Sequence, residues 1–169
     1  MRDAASFDEF YRSTAHRMLR YGHAVAGDHA EAQDLVQEAY ARAWRQWGTL
    51  VAHPAPEAWL RLVVARLSTD RWRRLTGWRA AVRRSGAPDP VAPPSEDSVL
   101  LVGALRQLPA NQRQALALHY LYDMTVEDIA REMNAATGTV KSWLSRGRAR
   151  LAALLPDISD ERLEANDVA

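Results

Sequence analysis

The stretch from Met124 to Leu151, MTVEDIAREMNAATGTVKSWLSRGRARL, constrains the fold more than any other, because it reads as two short helices joined by a tight turn. Thr125 is placed to cap a helix with Asp128 three residues on, a near capping box, and Val126, Ile129, Ala130 and Met133 then share one face at helical spacing. Asn134 stops that helix: it is one of the few non-glycine residues that enter the left-handed region at modest cost. Ala135 and Ala136 leave room for a close helix crossing. Thr137 is expected to cap the second helix, whose apolar stripe is Val140, Leu144, Gly147 and Leu151. Thr139, Lys141, Ser142, Ser145, Arg146, Arg148 and Arg150 then fall mostly outward.

Two helices crossing at a sharp turn, the second with a basic polar face, form a helix-turn-helix. In that motif the second helix enters the DNA major groove and its N-terminal turns meet the bases. The outward set can donate hydrogen bonds to phosphates and base edges. Thr139, Lys141, Ser142 and Arg146 are the candidates for bases or phosphates, and Arg148 and Arg150 for phosphates. The competing reading of the same pattern is an ordinary helical hairpin with a solvated basic face.

Net charge does not decide between them, since +1 averages over unequal segments. From Arg61 to Arg84 the basic residues are Arg61, Arg66, Arg71, Arg73, Arg74, Arg79, Arg83 and Arg84, against the single acid Asp70. The end from Asp157 to Ala169 is acidic, opposed only by Arg162. Two basic blocks suggest two nucleic-acid contacts rather than one. With no cysteine, disulfides, thiolate metal sites and cysteine nucleophiles are excluded. No apolar run has the length of a membrane span and MRDAASFDEF is not a signal-peptide pattern, so a cytoplasmic protein is expected.

Along the chain, Ser6 and Glu9 suggest a capping box before a helix carrying Phe7, Phe10, Tyr11, Thr14 and Met18. A turn at Gly27 and Asp28 leads to a second helix, about Ala30 to Trp47, with Leu35, Val36, Ala39, Tyr40, Ala43 and Trp47 inward. Its other side, Asp34, Gln37, Glu38, Ala41 and Arg45, suits docking against another protein's helices or plain solvent. Pro56 is suited to a first helical position, and a long helix follows from Glu57 to about Trp78. Its stripe is Leu60, Val63, Val64 and Leu67, after which it becomes RWRRLTGWR. Arginine interleaved with Trp72 and Trp78 is the pairing found where phosphates and unstacked bases meet a protein, while core burial is the commoner fate of a tryptophan such as Trp59. SGAPDPVAPPSEDS, residues 85–98, reads as a linker with an extended reach of roughly 40 Å. Helices from Val99 to Leu108 and Asn111 to Tyr122 should pack the helix-turn-helix, and the acidic tail after Pro156 should fray.

Two segments taken together resemble bacterial RNA polymerase sigma factors. DLVQEAYARAWR (Asp34 to Arg45) with PEAWLRLVVARLSTDRWRR (Pro56 to Arg74) looks like the family's second conserved region, and Leu108 to Leu151 looks like its fourth. The short build is similar to the extracytoplasmic-function group, and the tryptophan- and arginine-rich first part to its actinobacterial SigE-like subfamily. The resemblance implies an all-α chain with a region 2-like domain (1–84), a linker (85–98), a region 4-like helix-turn-helix domain (99–155) and an acidic tail (156–169). It implies core polymerase docking, on the beta-prime clamp helices, through Asp34, Leu35, Gln37, Glu38 and Trp44. Trp59, Arg61, Arg66, Asp70, Arg71, Arg73 and Arg74 match the positions that melt and read the −10 element. Thr139, Lys141, Ser142, Arg146 and Arg148 match those that read the −35 duplex. The partners implied are core RNA polymerase, including its beta flap, promoter DNA and a sequestering anti-sigma factor, with no cofactor and no metal. Three positions depart from the family pattern: Arg66 stands where asparagine is frequent, Asn134 where the turn often has glycine, and Trp143 where arginine is frequent. Trp143 is expected to pack partly inward.

Two other functions fit parts of the sequence. A stand-alone helix-turn-helix regulator has no need of the arginine-tryptophan block after Trp59. A hydrolase would use His16, His23, His29, His53 or His119 with nearby acids, but His23 and His29 straddle a Gly-Asp turn and no HExxH spacing occurs. The expectation is a promoter-specificity subunit that does no bond chemistry itself.

Overall fold

Residues 3–82 and 96–155 are described in a computed structural model of the chain. Two compact units, Met1–Ala92 and Pro93–Ala169, divide it. Among the described residues every regular element is an α-helix: α1 (Ala4–Ala26), α2 (His29–Arg45), α3 (Trp47–Leu50) and α4 (Pro56–Val82) in the first unit; α5 (Glu96–Arg106), α6 (Ala110–Tyr122), α7 (Val126–Glu132) and α8 (Thr137–Leu154) in the second. Of the linker, residues 85–95 lie outside the described residues, and α5 begins at Glu96 rather than Val99. The acidic tail, 156–169, also lies outside them.

In the first unit α1 begins differently from the expected Ser6–Glu9 box. Asp3 is the cap, its carboxylate accepting from the backbone N–H of Ala5 and Ser6. That frees the Ser6 hydroxyl to accept from the Trp47 indole N–H at 2.9 Å. Gly27, at φ 68°, closes α1 in the left-handed region, where a side chain would be strained. Asp28 then caps α2 through the Glu31 N–H.

The core of this unit is Met18, Tyr21, Leu60 and Val64, all fully buried, with Leu35, Val36, Ala39, Tyr40 and Ala43 from α2. Each large apolar side chain removed from water here contributes about 1.5–3 kcal/mol. An aromatic group built on Phe7, Phe10, Tyr11, Tyr40, Trp44 and Trp47 fills one end, with Phe7 5.0 Å from Trp44 and Phe10 5.0 Å from Trp47 between ring centres. Inside it the Thr14 and Tyr40 hydroxyls share a hydrogen bond of 2.7 Å. Burial pushes the Tyr40 phenol up to about 12, against the opposing pull of that hydrogen bond. Arg17 clamps Glu57 with two bonds of 2.9 and 2.8 Å, tying α1 to the start of α4.

In the second unit the core is Ala104, Leu105, Leu108, Ala115, Leu116, Leu118, Ile129, Val140 and Leu144. Arg113, buried in α6, donates to the Arg106 carbonyl at 3.2 Å and so satisfies the last residue of α5 across the Pro109 break. Asp123 and Asn134 both adopt positive φ, 53° and 51°, and each ends a helix in the left-handed region. At Asn134 the following Ala135 N–H returns to the Ala130 carbonyl at 2.9 Å, closing the tight turn between α7 and α8.

Candidate nucleic-acid interface

The second helix of the motif, α8, buries Val140, Leu144 and Gly147 and turns its basic residues out. Thr125 caps α7 through the Asp128 N–H, as the spacing predicts. Thr137 does not cap α8. The cap residue is Ala136, with extended backbone and no side-chain bond, and Thr137 is already helical. The first N–H groups of α8 are therefore left without a side-chain cap, at the end that a helix-turn-helix directs at DNA. Of the expected contacts, Thr139, Lys141 and Arg146 are exposed, and Ser142 and Arg148 half-buried. Arg148 Nη1 lies 3.5 Å from the Tyr120 hydroxyl, a weak donation that steadies it against α6. Trp143 is half-buried, in keeping with partial packing.

In the first unit the expected strand-reading set divides. Arg66, Asp70, Arg71, Arg73 and Arg74 are exposed on α4, and Trp72 among them is 58% exposed. Trp59 is half-buried. Arg61, by contrast, is buried at 8% exposure and does not lie on the exposed arginine row of α4. The Trp78 side chain lies outside the described residues.

The docking set on α2 also divides. Asp34 and Gln37 are exposed and Glu38 half-exposed. Leu35 is 3% exposed and part of the core, on the inward stripe with Val36 and Ala39 as the helical spacing predicts. Trp44 is half-buried against Phe7. Glu38 accepts from Arg42 at 2.8 Å, and that hydrogen bond chiefly holds its carboxyl below the usual range. Asp34 lies 3.5 Å from Arg71, so the acidic strip and the α4 arginine row meet at one loose ion pair.

Two features were not visible in the sequence. His29 Nδ1 and His23 Nε2 stand 3.1 Å apart, with ring centres at 4.1 Å, because the Gly27–Asp28 turn folds the end of α1 onto the start of α2. Among the described residues no group of three or more His, Cys, Asp and Glu side chains is placed to hold a metal ion. The second is an open pocket of about 420 Å³ lined by Arg42, Arg45, Gln46, Trp59, Val63 and Arg66. Arginines 42 and 45 could be read as helix-end charges; only the fold sets them beside Trp59 and Arg66. Among the described residues no helix is long and apolar enough to cross a membrane.

Residues 10–79 match the family model described as Sigma-70 region 2, and residues 98–151 that of Sigma-70, region 4. The chain is 31% identical over 153 residues to the RNA polymerase sigma-E factor of Streptomyces coelicolor, covering 89% of this chain and 86% of that protein. It is 32% identical over 155 residues to the ECF RNA polymerase sigma factor SigM of Mycobacterium tuberculosis, covering 90% of this chain and 79% of that one. Among solved structures, the sigma factor RpoE in complex with the anti-sigma factor NepR from Bartonella quintana is similar at a TM-score of 0.68 and 26% identity. That match covers 90% of this chain and 98% of the other.

Proposed function

The chain belongs to the sigma-70 family, in its extracytoplasmic-function group, and is a promoter-directing sigma factor; from that premise we propose how its two units share the work. The region 2-like domain, residues 1–84 of the first unit, docks on the beta-prime clamp helices of core RNA polymerase through Asp34, Gln37 and Glu38, with Leu35 and Trp44 shaping the strip from beneath. Its α4 face, Trp59, Arg66, Asp70, Arg71, Arg73 and Arg74, holds the unpaired −10 strand. Opening a duplex costs a few kcal/mol per extruded base, which stacking and phosphate contacts can offset. The region 4-like domain, residues 99–155 of the second unit, reads the −35 duplex through Thr139, Lys141, Ser142, Arg146 and Arg148 and meets the beta flap. Residues 85–98 tether the two. The protein does no bond chemistry, works in the cytoplasm and is open to sequestration by an anti-sigma factor covering the same surfaces.

The observation that carries this reading is the co-occurrence in one chain of an outward basic recognition helix and a second exposed arginine row beside an acidic, amide-bearing strip. A duplex-binding regulator uses the first alone. Permanganate footprinting tests it on a promoter fragment with core polymerase, this chain, or both. Reactive thymines near −10 are expected only when both are present. Protection of a duplex by the chain alone, with no thymine reactivity on adding core, would instead establish a stand-alone regulator.

A further inference from the structure

The buried stripe of α8 takes in Val140, Leu144 and Gly147 but not Trp143. Between Thr137 and Arg150 this is the one large apolar side chain outside that stripe, and it is half-buried rather than buried. Residues 139, 143, 146 and 150 recur at helical spacing and share one flank, on which Thr139, Arg146 and Arg150 are exposed. A helical side chain leans over the turn N-terminal to its own Cα. The Trp143 ring therefore covers the turn beside Thr139, toward the end of α8 that a helix-turn-helix directs at the bases. Trp47 in the first unit shows what a core tryptophan of this chain looks like: it is 2% exposed and its N–H is bound to Ser6 at 2.9 Å. The Trp143 N–H has no hydrogen-bond partner among the described residues and is not sealed from water. Part of this indole is packed, and the rest, with its N–H, is open.

We propose that Trp143 is a specificity-determining residue of the −35 contact, its open indole covering the C5-methyl group of one thymine in the major groove. The inference rests on the reading of the second unit as the duplex-binding part and deepens it by adding an apolar contact to the polar set. The thymine methyl is the one apolar group that base edges present in that groove. An open ring set among hydroxyls and guanidinium groups gains by leaving water only against a surface of that kind. Cytosine presents an amino donor and no methyl, and an indole, which donates but does not accept, has nothing with which to answer it. Arginine, frequent at this position in the family, would instead donate to phosphate or to guanine O6 and N7. Tryptophan here exchanges a charged contact for an apolar one, and so changes which base is favoured. Removing one methyl group from such a contact lowers affinity about fourfold.

The test uses holoenzyme reconstituted from the full chain and core polymerase. Promoter DNA carries deoxyuridine in place of each −35 thymine in turn, on either strand, which keeps the base pair and deletes only the methyl group. Binding is measured by competition against the unmodified fragment. The expected result is one position where deoxyuridine weakens wild-type binding about fourfold. With Trp143→Ala and Trp143→Arg that ratio should fall to one, whatever their absolute affinity. Because each ratio compares two DNAs on the same protein, a general loss of stability in a variant does not imitate the result. If no deoxyuridine position weakens wild-type binding, or the loss is the same in both variants, the inference falls while the −35 reading stands. If scrambling the whole −35 duplex also leaves binding unchanged, the reading of the second unit falls and takes the inference with it.

Discussion

Gly147 in α8 faces Leu116 in α6 so closely that a Cβ built on it would stand 2.8 Å from Leu116 Cδ1 and 3.2 Å from its Cγ. Leu116 is 3% exposed, so a rotamer change has little room to relieve the clash. Overpacking of this kind costs about 1–3 kcal/mol, against about 1 kcal/mol gained by replacing glycine with alanine inside a helix. Gly147→Ala should therefore lower the melting temperature of the second unit. A melting temperature equal to or above wild type would show that α6 and α8 do not cross this tightly.

The same substitution at Gly103 should act in the opposite direction. Gly103 lies inside α5, is exposed, and a Cβ there meets nothing within 4 Å. Gly103→Ala should stabilise by about 0.4–1 kcal/mol through the unfolded chain and the helix alike. Thermal melts of the two alanine variants side by side check both signs at once.

Loss of the buried Thr14–Tyr40 hydrogen bond should be costly. Thr14→Val keeps the shape but leaves the Tyr40 hydroxyl facing a methyl group, which costs about 1–3 kcal/mol. Urea unfolding measures it, and a loss below the low end of that range would mean that water replaces the lost partner.

The His23–His29 contact makes acid stability a further check. Burial lowers the His23 pKa below 6.5, the neighbouring His29 lowers it further, and Asp28 opposes both. The unfolded chain therefore binds the proton more readily. The stability held above the unfolded value of 6.5 is lost progressively as the pH falls through that value toward the lowered folded one. His23→Gln should flatten the melting temperature between roughly pH 7 and pH 5. An unchanged slope would place the titrating group elsewhere.

Legibility of the fold followed the range of the interaction. The helix-turn-helix could be read because its signals are local: Thr125 caps α7, Asn134 takes the left-handed turn, and Val140, Leu144 and Gly147 face inward. Helix starts were less legible where several hydroxyls and carboxylates competed. Asp3 took the cap from Ser6, and the chain enters α8 through Ala136, one residue before the threonine that could have capped it. The long-range contacts had no local signature. Thr14 meets Tyr40 across 26 residues and Trp47 meets Ser6 across 41. The burial of Arg61 had no local signature either, since a charged side chain with a long stem looks exposed in sequence. The pocket of Arg45, Trp59 and Arg66 needed both α2 and α4 in place before it could be seen.

On α8, base contacts and phosphate contacts should separate by their salt behaviour. Arg146→Ala should weaken holoenzyme binding to the preferred −35 duplex by about 1–3 kcal/mol and relax sequence preference there. Arg150→Ala should weaken all duplexes alike and reduce the salt slope by about one. Binding isotherms at several salt concentrations distinguish the two patterns, and identical behaviour of both variants would contradict the division.

The central claim, that this chain redirects polymerase through two separate units, is tested most directly by transcription in vitro. Core RNA polymerase is given a genomic fragment library with and without the chain, and start sites are mapped. New starts sharing one −35 and one −10 motif are predicted, reduced by Lys141→Ala through the second unit and by Asp34→Ala through the first. An unchanged start map, with the chain nonetheless bound to particular duplexes, would contradict it.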